Sequence, residues 1–179
     1  MLKKILIGLA AVLVLICIVA ATRPNTYTVE RSASIDAPPP VVHGIVVDFH
    51  RWDEWSPWAE LDPKMTKTFS GPDKAVGSVY EWVGNDEVGA GKMTLTEVKA
   101  PEAIVMELKF LKPWESTSKV TLSTPAEGAG TKITWRMDGN HNFASKVMCL
   151  FMDMDKMLGG DLEKGLARLK SVSEAAARK

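Results

Sequence analysis

Cysteine is almost missing from this chain: 179 residues include two, Cys17 and Cys149. One sits in an apolar run near the start and the other near the C-terminus, so no disulfide framework staples the fold. Histidine is nearly as scarce, with only His43, His50 and His141. There is no G-x-S-x-G elbow, no H-E-x-x-H and no C-x-x-C pair. Their absence removes the commonest signatures of serine hydrolysis, zinc proteolysis and dithiol redox chemistry. A basic block is missing too. With Lys3, Lys4 and Arg23 set aside, 19 basic residues face 22 acidic ones from Pro24 onward, a net charge of −3. A body of that charge is not built to grip a nucleic-acid backbone.

What is present begins with a long apolar run. Ile5 to Ala21 holds 17 residues with no charge and no polar group apart from the thiol of Cys17. As a helix it would span roughly 26 Å, close to the thinner end of a bilayer's hydrocarbon core. Lys3 and Lys4 precede it and only Arg23 follows closely. The positive-inside bias then puts the N-terminus in the cytoplasm and the body outside, in the periplasm if the source is Gram-negative. Residues 1–23 read as an uncleaved single-pass anchor and 24–179 as one domain. The rival is a cleaved signal peptide, because Val19-Ala20-Ala21 offers small residues to a peptidase, although no polar c-region precedes that site. Bulky Leu15 and Ile16 before Cys17 argue against a lipoprotein cysteine.

After Pro24, "TYTVERSASI" alternates as a strand, with Tyr27, Val29, Ala33 and Ile35 on one face. Pro38 to Pro40 suit the first turn of a short helix over Val41 to Phe49. From Lys64 to Asp138, Gly, Pro and Asn punctuation divides the chain into "MTKTFS", "GSVYEWV", "AGKMTLTEV", "AIVMELKF", "ESTSKVTLST" and "TKITWRM". Six such runs at period two predict an antiparallel meander. Tyr80 and Trp82 share one face, as do Met93 and Leu95, then Ile104, Met106, Leu108 and Phe110, then Ile133, Trp135 and Met137. Glu81, Glu107, Lys109, Lys132 and Arg136 occupy the other. One face is apolar, so the sheet needs one cover.

The periodicity from Phe143 to Val172 supplies it. Phe143, Val147, Leu150, Phe151, Met154, Leu158, Leu162, Leu169 and Val172 fall within an arc of roughly 120°, which predicts one long amphipathic helix bent at Gly159-Gly160. The expected class is therefore α+β: a helix-grip arrangement, with a curved antiparallel sheet of about seven strands wrapped on a long C-terminal helix, plus the N-terminal transmembrane helix.

Chemistry-bearing residues are few. His50 and Asp53, three apart, would form an oriented base if one helix carried both, or else a plain surface pair. His43 reads as packing and His141 as a loop residue. Asp153 and Asp155 lie about 200° apart on a helix and do not share a metal. Asp161 falls inside the apolar arc, so it either caps a helix restarted after the glycines or reaches a polar group in the interior. No metal or cofactor is expected. Trp52, Trp55 and Trp58 put half of the six tryptophans within seven residues. They read first as a structural wedge closing one end of the core, with Trp55 or Trp58 also touching a ligand. Partly exposed, they would instead form a docking patch.

The ordered series "FHRWDEWSPW", "FSGPDKAVGSVYEWVGN", "GAGKMTLTEV", "LKFLKPWES", "GTKITWRMDGN" and "GGDLEKGLARLK" resembles the SRPBCC superfamily. It is similar, more narrowly, to membrane-anchored or exported proteins of the polyketide cyclase/dehydrase and lipid transport type. The resemblance implies a START-like fold with a hydrophobic cavity between sheet and C-terminal helix, and brings no catalytic motif with it. On the present face assignments that cavity would be lined by Trp55, Trp58, Tyr80, Trp82, Met93, Phe110, Trp135, Met137, Met154 and Leu158. The expected partner is a hydrophobic small molecule or lipid. A cyclase- or dehydrase-type enzyme using the same cavity and a protein-interaction module are the alternatives.

Overall fold

A computed structural model describes every residue from Met1 to Lys179. Helix α1 (Leu2–Ala21) is exposed along nearly all its length and is the one helix long and apolar enough to cross a membrane. Thr22 to Asn25 lead from it into strand β1 (Thr26–Ile35). Helix α2 (Pro39–Val46) starts on Pro39 and Pro40, whose missing N–H groups cost nothing in a first turn. The carboxylate of Asp48 accepts the His50 N–H at 3.1 Å and caps a 3-10 helix, Phe49–Glu54. Pro57 then turns the chain into the short helix α3 (Trp58–Leu61).

The meander follows as β2 (Thr66–Ser70), β3 (Val79–Val83), β4 (Ala90–Lys99), β5 (Ala103–Lys112), β6 (Ser116–Ser123) and β8 (Gly130–Asn140). A two-residue strand, β7 (Ala126–Glu127), pairs back onto β8 and brings the total to eight. The order across the sheet is β1-β8-β6-β5-β4-β3-β2, and every pairing is antiparallel. Register carries the alternation across the strands: Tyr80 faces Met93, Met93 faces Leu108, and Val120 faces Met137. All five of these side chains are buried on the same face.

The cover differs from the single helix expected. Helix α4 (Phe143–Met148) ends, and α5 (Met154–Ala177) begins afresh after a turn. The reason lies in the caps. Asn142 accepts the Ser145 N–H at 2.8 Å to start α4, and Asp153 accepts the Asp155 N–H at 3.1 Å to start α5. Phe143 and Phe151 are consequently exposed, whereas Leu162, Leu166 and Leu169 are buried. Nor does α5 restart at Gly159-Gly160, through which it runs as one helix. Asp161 lies within the helix, paired to Lys164 at 3.1 Å, and caps nothing. Gly159 has another cause: a Cβ there would run into the guanidinium of Arg31. From the inner face of β1, Arg31 reaches Asp155 at 2.8 Å and Glu163 at 2.6 Å, fastening the helix to the strand. The two carboxylates hold the Arg31 guanidinium firmly protonated.

Candidate functional site

The space between the sheet and the tryptophan segment is organised by Trp135. Trp52, Trp55 and Trp58 meet its ring at centroid distances of 6.4, 5.3 and 5.8 Å, each close to perpendicular. Edge-to-face contacts of this kind suit the aromatic quadrupole. Trp52 and Trp55 are themselves 4.7 Å apart. The Trp52 indole N–H donates to the Val46 carbonyl at 3.0 Å, so the 3-10 helix is tied to α2. Trp52 and Trp55 are buried and Trp58 half-buried, so the three form no exposed docking patch.

Next to this hub lies a small, partly open cavity of about 50 Å³, bordered by thirteen residues of which twelve are hydrophobic. Of the ten residues expected around it, Trp58, Tyr80, Trp82, Met93, Phe110, Trp135 and Met137 do border it. Trp55 stands behind Trp52 and does not; Met154 borders an outer groove, and Leu158 packs half-buried against the core. Trp52, Ser56, Met65, Val88, Leu108 and Val120 complete the wall. Leu108 and Val120 follow from strand parity, and Trp52 from the same cluster as Trp55. Met65, one residue before β2, shares parity with Phe69 in the run "MTKTFS", whereas Val88 lies in a turn and carries no signal in the sequence.

The wall is shaped by close approach of backbone to ring. Trp82 donates its indole N–H to the Val88 carbonyl at 3.1 Å and lies over β4 at Gly91, where a Cβ would sit 2.6 Å from the indole. Tyr80 packs between Phe69 and Trp82 at centroid distances of 5.3 and 5.8 Å. It is the one titratable group on the wall, and burial pushes its hydroxyl far up, so it stays protonated and acts as a neutral hydrogen-bonding group. The indole N–H of Trp135 is buried without a partner. Polar chemistry at this wall is thus limited to Ser56, the Tyr80 hydroxyl and that unpaired N–H.

The histidines lie apart from it. His50 meets Phe69 at a centroid distance of 4.2 Å with the rings tilted, and approaches Asp73 at 3.5 Å, while Asp53 pairs with Lys67 at 2.6 Å, so His50 and Asp53 form no oriented pair. His43 is buried in α2, and burial lowers its pKa from the usual 6.5, the Ala103 backbone opposing weakly. His141 lies 5.0 Å from the Tyr27 ring, its pKa lowered by burial and by Lys146. No three His, Cys, Asp or Glu side chains converge as a metal-binding set.

One long helix held against a curved antiparallel sheet, with an apolar aromatic cavity between sheet and loop, defines a helix-grip protein. Residues 26–174 match the family described as polyketide cyclase/dehydrase and lipid transport. The chain belongs to that family, within the SRPBCC superfamily. Among solved structures, ginseng major latex-like protein 151 from Panax ginseng is similar with a TM-score of 0.61 at 12% identity, over 84% of this chain and 99% of that one. A protein from Chromobacterium violaceum gives 0.59 at 16% identity, over 85% and 99%. The Aha1 protein from Colwellia psychrerythraea gives 0.55 at 15%, over 84% and 96%. At such identities these likenesses concern the fold alone. No curated protein matches the sequence significantly.

Proposed function

We propose that residues 1–23 anchor the chain in a membrane, N-terminus in the cytoplasm, and that residues 24–179 form an extracytoplasmic domain binding a hydrophobic small molecule or lipid. The observation that carries this reading is the apolar, aromatic cavity, twelve of whose thirteen wall residues are hydrophobic. Apolar cavities with few polar groups suit greasy ligands, and this one is bordered by Trp135, whose indole N–H is buried without a partner.

The cavity's volume adds a condition. Ligand sites commonly enclose roughly 300–1,000 Å³, so this one must widen to admit a lipid chain. Met65, Met93 and Met137 are the wall residues best suited to yield, because unbranched thioethers change rotamer at low cost. Native mass spectrometry of the full-length protein extracted in mild detergent tests the reading. A co-purifying lipid or other apolar molecule, lost in Leu108→Trp, is the expected result. A ligand-free protein whose tryptophan emission is not quenched by brominated fatty acid would overturn it.

A further inference from the structure

The connection from α1 into the fold is short and pinned. Thr22 to Asn25 are the four residues between the helix and β1, and four residues reach at most about 14 Å. Asn25 is held at both ends: its carbonyl accepts the His141 N–H at 2.7 Å, and its side chain accepts from Lys146 of α4. Ala20, in the last turn of α1, is fully buried, and that helix packs against α4. Whatever α1 is immersed in, the face of the domain around α4 lies against it.

That face is unusually greasy. From Thr26 onward nine large apolar side chains are exposed, and six of them are Leu111, Trp114, Phe143, Phe151, Met152 and Met157. They come from two segments only, the β5–β6 hairpin and the α4–α5 stretch. Trp114 shares one groove with Met148 and Met154, and Arg23, just past α1, shares another with Phe151 and Met152. The patch is therefore continuous with the exit point of α1. Trp114 and Phe151 are the most exposed of the six, at 75% and 74%. Lys112, Lys146 and Lys156 balance Glu115, Asp153 and Asp155 in these segments, so attraction to anionic lipid is not what would hold it.

We propose that this face lies in the interfacial layer of the bilayer that α1 crosses, with Trp114 and Phe151 inserted among the lipids. Tryptophan at the end of a hairpin, beside a membrane span, matches the amphipathic preference of indole for that layer. The placement rests on α1 being an anchor, and it names where the cavity's ligand comes from. Phe110 is the one residue that borders both the interior cavity and the Trp114 groove. That half-buried ring is thus a wall common to the groove on the membrane-facing side and to the apolar interior.

The test uses the full chain reconstituted in phosphatidylcholine vesicles, with and without phosphatidylcholine brominated along one acyl chain. Trp114→Phe isolates the emission of Trp114 by difference, and a Phe151→Trp reporter in the Trp114→Phe background reads the second site. Protein that floats with carbonate-washed vesicles, with more than half of each reporter's emission quenched, is the expected result. Protein that floats while both reporters stay unquenched refutes the docked face and leaves the anchor standing. Reporters shielded from aqueous iodide yet unquenched by bromolipid indicate a second copy on the patch and refute it equally. Protein that does not float overturns the anchor and the docking together. Charged lipid should change none of these outcomes.

Discussion

Trp55→Ala is the most informative perturbation of the tryptophan segment. Trp55 is fully buried, lies between Trp52 and Trp135, and does not border the cavity. A wedge of that kind works through packing, so truncation to alanine should cost roughly 3–5 kcal/mol, the usual range for a buried tryptophan or phenylalanine. For a domain of this size that lowers the midpoint by roughly 6–20 °C. Trp55→Phe behaves differently for a reason visible in the structure: the Trp55 indole N–H is buried without a partner. Removing it relieves a desolvation penalty of about 1–3 kcal/mol, which offsets the poorer packing of the smaller ring. The net change should stay below about 1.5 kcal/mol. Guanidinium unfolding of the full chain in detergent, followed by near-UV circular dichroism, reads both variants. Two results sink the reasoning: Trp55→Ala within about 1 kcal/mol of wild type, or Trp55→Phe as damaging as Trp55→Ala.

On α5, Leu162→Asp should cost roughly 3–5 kcal/mol, because it buries an unpaired charge at a fully enclosed position; half-buried Leu158→Asp should cost less, and exposed Lys164→Ala stay within about 0.5 kcal/mol. Equal unfolding midpoints for the two aspartates would show that the helix is turned differently. Gly160→Ala meets open space and should stabilise by about 1 kcal/mol through helix propensity. Gly159→Ala should fall short of that gain until Arg31→Ala removes the obstruction, and a double-mutant cycle measures the difference. His43 should make stability depend on pH. Its folded pKa is lowered below 6.5 by burial, so the unfolded chain takes up the proton first and stability declines as pH falls below about 6.5. The slope from this residue is at most about 1.4 kcal/mol per pH unit, and His43→Gln should flatten it in unfolding curves between pH 8 and 5.

The strands are readable in the sequence because period two survives any twist of the sheet. Parity alone puts Tyr80, Trp82, Met93, Phe110, Trp135 and Met137 on the inner face, and these are the wall residues the structure brings together. Positions outside strands are harder to read. Trp55 stands just past the 3-10 helix, at its C-cap with extended φ, so a helical projection does not reach it, and Trp52 rather than Trp55 borders the cavity. The helical projection from Phe143 to Val172 runs straight across a break. Asp153 stops that projection by taking two backbone N–H groups, and a hydrophobic arc carries no record of such a cap. The arc therefore directs Met154 at the cavity, whereas it borders an outer groove. Arg31, on the apolar face of β1, has no partner legible in the sequence, since Asp155 and Glu163 are more than a hundred residues away.

That arginine gives α5 two kinds of attachment along its length. From Leu162 to Ser173 the helix is held by buried side chains, whereas Met154 and Leu158 are only half-buried and Met157 is exposed. The N-terminal end depends more on the Arg31 pairs with Asp155 in the first turn and Glu163 in the third, whose carboxylates face water. Screening by salt weakens pairs of that sort and leaves apolar burial intact. The N-terminal end of α5 is accordingly the part of the grip that opens first, by local unfolding rather than rigid motion. Amide exchange there quickens with ionic strength while the amides around Leu166 keep their protection.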